Sequence, residues 1–202
     1  MRYHHIMSAT LTQPRPSPTP RRLFTVADLA AMPTSLPSGD VRYELDDGEL
    51  VTMAPPGDIH AKRQARIVHH LILVEDAGLG EARGEVSIIL RRNPDRVVAP
   101  DAAFILTASL PVRRSPEGYL ETIPELVVEV RSKNDSNPEI VAKCEEYFRA
   151  GVQVAWVIDP DARTVAAHHS DGSVQIVRET DTLTSGLLPG FALPVSNLFS
   201  GA

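Results

Sequence analysis

Asp101, Glu129 and Lys143 are the residues of this chain best suited to do chemistry. The two acids sit in apolar runs, Val97-Val98-Ala99-Pro100-Asp101-Ala102-Ala103-Phe104-Ile105-Leu106 and Leu126-Val127-Val128-Glu129-Val130. Both runs read as largely buried strands. A buried carboxylate without a partner or a metal is costly enough to be uncommon, so each acid needs an explanation. Phosphodiester hydrolysis supplies one: a divalent cation neutralises charge and activates water, and positioned positive charge stabilises the transition state. Magnesium takes few protein ligands, typically one or two carboxylates, with water and phosphate oxygens completing its octahedron. Asp101 and Glu129 are therefore the expected ligands of Mg2+, for which Mn2+ is the natural substitute, and Lys143 would orient water or balance the developing charge. Structural ion pairs with Arg131, Lys133 or Lys143 would account for the same two acids.

The elements that must position these groups are legible in the hydrophobic pattern. On the strand Pro124 to Arg131, period two puts Glu125, Val127, Glu129 and Arg131 on one face and Leu126, Val128 and Val130 on the other. Ser136-Asn137-Pro138-Glu139 starts a helix, through a capping box of Ser136 with Glu139 or through Asn137 with Pro138 in the first turn, and Gly151 ends it. Ile140, Cys144, Tyr147 and Phe148 form its buried stripe, and Lys143 falls at the edge. From there its stem can be buried while its amine reaches toward the sheet. Val152 to Ile158 follows as a strand and closes a β-α-β unit.

Upstream, Thr25 caps a short helix over Phe24 to Met32 that Pro33 stops. Val41 to Leu45 and Glu49 to Met53 flank the turn Asp46-Asp47-Gly48 as an N-terminal β-hairpin. It carries Glu49, which reads as solvated, and Glu44, which fits either solvent or the site. The stretch Asp58 to Glu75 has apolar residues Ala61, Ala65, Val68, Leu71 and Ile72 on one side, with Asp58 as the expected cap. Its polar side carries Lys62, Arg63 and Arg66, read either as a solvated face or as contacts for substrate phosphates, and His60 stands at its start. Val86 to Leu90 and Val97 to Leu106 read as consecutive strands joined by Arg91 to Asp95, which places Asp101 on the second strand. Thr164 to His168 and Val174 to Val177 around Asp171-Gly172 form a C-terminal β-hairpin.

Composition limits the setting. A chain of 202 residues fits one domain, expected over residues 23–202. Residues 1–22, with Pro14, Pro16, Pro18 and Pro20, are expected to be disordered. One cysteine, Cys144, excludes an intramolecular disulfide and a multi-thiolate zinc site. No run approaches the roughly 18 apolar residues of a membrane span, and a cytoplasmic protein with no membrane partner is expected. The formal net charge of −6 argues against indiscriminate duplex binding. The adjacent histidines His4-His5, His69-His70 and His168-His169 do not face one ligand together, Ser132 lacks a nucleophile elbow, and no phosphate-cradling glycine loop is present.

In combination, Arg42-Tyr43-Glu44-Leu45-Asp46-Asp47-Gly48-Glu49-Leu50-Val51, Ala54-Pro55-Pro56 with His60, Ala99-Pro100-Asp101, Pro124 through Ser132, Lys143-Cys144-Glu145-Glu146-Tyr147, Trp156-Val157-Ile158-Asp159-Pro160 and Leu188-Pro189-Gly190-Phe191 resemble the Uma-two family of restriction-endonuclease-like proteins. The resemblance runs from about Phe24 onward. It implies the PD-(D/E)XK nuclease fold, an α/β architecture with a mixed sheet flanked by helices. It further implies Asp101 and Glu129 as metal-binding acids, Glu44 as an additional acid, and Lys143 as a catalytic lysine moved from strand to helix. Arg131 occupies the strand position where the wider superfamily has its lysine, and arginine keeps its proton too firmly for every lysine role. The expected activity is a Mg2+-dependent endonuclease acting on DNA, with His60, Lys62, Arg63 and Arg131 as substrate contacts and a homodimer as the arrangement that a two-strand cut invites. The alternative is a nuclease-like binding or assembly module without turnover.

Overall fold

A computed structural model describes residues 22–200 of the chain other than 38, 54–56, 114–117 and 134. Helix α1 (Val26–Ala30) precedes two short paired strands, β1 (Ser35–Leu36) and β2 (Gly39–Asp40), and the hairpin β3 (Arg42–Asp46) and β4 (Glu49–Met53). Helix α2 (Asp58–Asp76) leads to β5 (Gly80–Gly84), β6 (Ile88–Arg91), β7 (Arg96–Val98), β8 (Ala102–Leu106) and β9 (Leu126–Val130). Helix α3 (Asn137–Ala150) then returns the chain to β10 (Val154–Asp159), followed by β11 (Thr164–His169), β12 (Val174–Arg178), β13 (Thr182–Thr184), β14 (Ala192–Pro194) and α4 (Ser196–Phe199). The expected disordered segment lies outside the described residues apart from Arg22. No described helix is long and apolar enough to cross a membrane.

Six strands form the main sheet in the order β12-β11-β10-β9-β8-β5. Its β9–β10 pair is parallel and joined through α3, as the β-α-β pattern predicts, and its other pairs are antiparallel. A second sheet has the order β4-β3-β7-β6. The main sheet is covered on both faces, which explains why β8, β9 and β10 read as continuous apolar runs. On one face, Ile67, Leu71 and Val74 of α2 pack with Phe104, Val128, Trp156 and Ile158, and Leu198 and Phe199 of α4 complete the layer. On the other, Cys144 and Tyr147 of α3 meet Ala103, Val127, Ala155 and Val157. Burying each large apolar side chain there contributes roughly 1.5–3 kcal/mol relative to exposure. Leu45, Ile89 and Val97 of the second sheet pack beneath Val26 and Leu29 of α1.

The local signals act as their chemistry dictates. Thr25 caps α1 and Ser136 caps α3, each in a complete capping box. The β3–β4 turn needs left-handed backbone at Asp47 and Gly48, with φ of 51° and 79°, which an Asp-Gly pair tolerates. Gly151 ends α3 at φ 115°, a conformation that costs little without a Cβ.

Four expectations need correction. The single strand Val97 to Leu106 is two strands in two sheets, broken at Ala99-Pro100-Asp101, because proline lacks the N–H that a continuing ladder would require. Asp101 therefore precedes β8 rather than lying within a strand. Asp58 is the first residue of α2 and the cap is Gly57, without a side-chain hydrogen bond. The buried stripe of α2 is Arg63, Gln64, Ile67, Leu71 and Val74, while Ile72 is 43% exposed. The alanines that suggested a different face have little side chain to bury, so the longer residues set the helix rotation. Strand β5 escaped notice because Gly-Glu-Ala-Arg-Gly has no apolar alternation to announce it.

Candidate active site

The break at Ala99-Pro100-Asp101 is fixed from several sides. Glu44 of β3 accepts a hydrogen bond at Oε1 from the Ala99 amide at 2.8 Å, tying the hairpin to the corner. The Asp101 carbonyl accepts from Gln64 Nε2 at 3.0 Å and from the Glu85 amide at 3.2 Å. Its carboxylate accepts from the Val130 amide at Oδ2, 2.6 Å away, just beyond the point where the β8–β9 ladder stops. His60 Nε2 lies 2.8 Å from the other oxygen, Oδ1. The hydrogen bond to Asp101 raises the His60 pKa against the opposing effect of burial. The register that pairs Ala102 with Val128 carries Asp101, one residue back, opposite Glu129, one residue forward.

Glu129 is 8% exposed and points toward α3, the helix over that face. Its Oε1 accepts from the Tyr147 hydroxyl at 2.5 Å and pairs with Lys143 Nζ at 2.9 Å. Lys143 and Tyr147 are four residues apart on one side of α3, so a single helical turn presents both donors. Burial raises the Glu129 carboxyl pKa, with Lys143 opposing and Asp101 adding to the rise. Burial also works against the Lys143 charge, but Glu129, Glu44 and Asp101 outweigh it and push the ammonium up to about 12. Tyr147 is held well above its ordinary value by burial and by Glu129, so its hydroxyl remains a donor.

Asp101, Glu129, Lys143 and Glu44 thus occupy one electrostatic neighbourhood, drawn from a corner, a main-sheet strand, a helix and the second sheet. His60 joins them through Asp101. Arg131 is held by Asp159, at 3.0 Å, and by the Asp135 carbonyl. Lys62 is exposed, whereas Arg63 is buried beside the C-terminal helix. Lys133 lies exposed in the turn before α3. The arginines around the β6–β7 turn are engaged in ion pairs: Arg91 with Asp47, Arg92 with Glu121, and Arg96 with Asp46 and Glu146.

Sequence reasoning overlooked the roles of two residues. Tyr147 read as core filling, yet its hydroxyl holds Glu129; the signal was its four-residue spacing from Lys143. Gln64 drew no reading at all, yet it is buried against the corner.

Among the described residues, no group of three or more His, Cys, Asp or Glu side chains is gathered to cage a metal ion. The hard oxygen donors around Lys143 instead resemble the sparse set with which magnesium retains water. Two surface concavities, of about 330 and 500 Å3, lie elsewhere, and Asp101, Glu129 and Glu44 line neither.

Residues 26–196 match the family described as "Uma2: Putative restriction endonuclease". A crystal structure of "a putative nuclease belonging to DUF820" from Anabaena variabilis is similar with a TM-score of 0.71 and 18% identity, covering 88% of this chain and 98% of that one. At that identity the likeness establishes the fold. The chain matches no curated protein.

Proposed function

The chain belongs to the Uma2 family of restriction-endonuclease-like proteins, and from that premise we propose that it is a Mg2+-dependent endonuclease that hydrolyses phosphodiester bonds in DNA. The observation that carries this reading is the meeting of Glu129, paired with Lys143 at 2.9 Å, with Asp101, bound to the neighbouring Val130 amide, beside Glu44 on the Ala99 amide. Three carboxylates share Lys143 and His60 as their cations, and the raised Glu129 carboxyl reflects the cost of burying its charge. A divalent cation held by Asp101 and Glu129 would relieve that cost, with Glu44 as a further acid, and Mn2+ would fit the same oxygens. When bound, the ion would supply charge neutralisation and activation of water.

The chain's own groups have distinct tasks in this reading. Lys143 retains its proton at neutral pH, so it stabilises charge and is not the base. Tyr147 fixes the Glu129 carboxylate, and His60 orients Asp101. Lys62 and Arg63 on α2 supply substrate contacts. Arg131, committed to Asp159 and the Asp135 carbonyl, holds the strand-to-helix turn that delivers Lys143. A homodimer would provide the two sites that a two-strand cut requires, and DNA as substrate fits a cytoplasmic location.

Cleavage of supercoiled plasmid and single-stranded DNA with Mg2+ or Mn2+ tests the proposal. Nicking by the wild-type protein should disappear in Asp101→Ala, Glu129→Ala and Lys143→Ala. Absence of cleavage by wild-type protein with metal binding verified would instead favour a binding module without turnover.

A further inference from the structure

Among the described residues, Arg63 breaks a rule that the other buried side chains keep. It is 3% exposed, and its Nε and Nη1 have no hydrogen-bond partner. Buried donors are almost always paired, and two open donors on an enclosed guanidinium are costly. Its guanidinium carbon lies 5.6 Å from the centre of the Phe199 ring, and that of Arg163 lies 5.2 Å from the same ring. Arg66, one turn along α2 from Arg63, donates to the Asn197 carbonyl of α4 at 2.6 Å. Burial, Arg163 and Arg66 all press against the charge of Arg63. Glu179 is the one carboxylate that the described ion pairs place in this group, and it pairs with Arg163. Three cations thus converge with one acid among them, and aromatic stacking does not fill the open donors of Arg63.

We propose that Arg63, Arg163 and Arg66 form an anion site, capped by Phe199, that takes a phosphate of the DNA strand flanking the scissile bond. The site rests on the nuclease reading for its ligand. Its position follows from α2: Arg63 is adjacent to Gln64, which holds Asp101, and three residues from His60, which touches the same aspartate. Arg163 begins the approach from solvent, with 42% of its side chain exposed, while Phe199 is 1% exposed. An oxyanion entering from the Arg163 side turns the ring aside and accepts the donors that Arg63 leaves open. Guanidinium groups suit such a ligand because their paired N–H bonds match two oxygens of one phosphate.

Binding of a short DNA duplex in EDTA tests the site apart from catalysis. Arg63→Met and Arg163→Gln should each weaken binding by about tenfold and lower the salt dependence by about one counterion. Arg63→Met should fold with an unchanged or higher Tm in phosphate-free buffer, since it removes two open buried donors, and Arg63→Lys provides a charged control of reduced reach. Unchanged affinity and salt dependence in both arginine variants would overturn the proposal. So would stabilisation by inorganic phosphate without any binding of the duplex. Cleavage that persists while binding ignores these arginines removes this inference alone, whereas binding through them without cleavage by wild-type protein removes the nuclease reading alone.

Discussion

Glu125, just before β9, and Glu129, near its far end, are both 8% exposed. At one end, Glu125 accepts the Leu106 amide at 2.9 Å and the Ser109 hydroxyl, closing the loop after β8 with neutral donors. At the other, Glu129 meets an ammonium, a phenol and the field of two more carboxylates. Burial is the same, so burial does not identify a reactive acid. The partners differ: Glu125 takes neutral donors from one loop, whereas Glu129 takes an ammonium and a phenol beside another carboxylate, the kind of environment in which functional acids cluster.

The largest effect should separate the two glutamates outright. Glu129→Ala should reduce metal-dependent nicking by on the order of a hundredfold or more. Glu125→Ala should leave the activity of the folded fraction intact while lowering stability by roughly 1–3 kcal/mol through its abandoned donors, as read by urea unfolding. Equal loss of specific activity in both would erase the contrast. Next, Lys143→Met should abolish nicking, and it should destabilise metal-free protein by roughly 3 kcal/mol because it leaves a buried carboxylate unpaired.

Metal and pH should act at the Glu129 end alone. Its pKa in the folded state lies above the unfolded value, so its proton favours the fold. Its contribution to metal-free stability therefore grows as pH falls through the folded value toward the ordinary carboxylate range. On the proposed metal site, Mg2+ would compete with that proton, so its thermal stabilisation should be greatest at alkaline pH, shrink on acidification, and vanish in Glu129→Gln but not in Glu125→Gln. At about a hundred times Kd the stabilisation is about 2.7 kcal/mol. Tyr147→Phe should cost about 1–2 kcal/mol and reduce nicking severalfold by loosening the Glu129 carboxylate. Smallest of all, Cys144 beneath the same helix face should resist maleimide in folded protein, since burial pushes its thiol up to about 11.

The two ends were unequally legible. Alternation along Leu126 to Val130 gave the face of Glu129, and helical spacing gave the reach of Lys143, because both follow from local geometry. Glu125 shares that face, but its true partners, Leu106 and Ser109, are supplied by a loop that no period reveals. The corner at Pro100 was concealed by the apolar residues on both sides of it. Arg63 read as a solvated or phosphate-contacting residue because its neighbours Lys62 and Arg66 are charged, and the Phe199 ring it meets comes from α4, more than a hundred residues later. Contacts of that separation leave no mark in a local pattern.

The corner at Ala99-Pro100-Asp101 has a consequence for the timing of risk in the cell. One acid stands at the seam between two sheets, one comes from each sheet, and the lysine comes from the helix over the larger of them. No half of the molecule possesses the set. On the proposed nuclease reading, a nascent or partly unravelled chain lacks a cutting centre, because the set exists only where both sheets and the helix have come together.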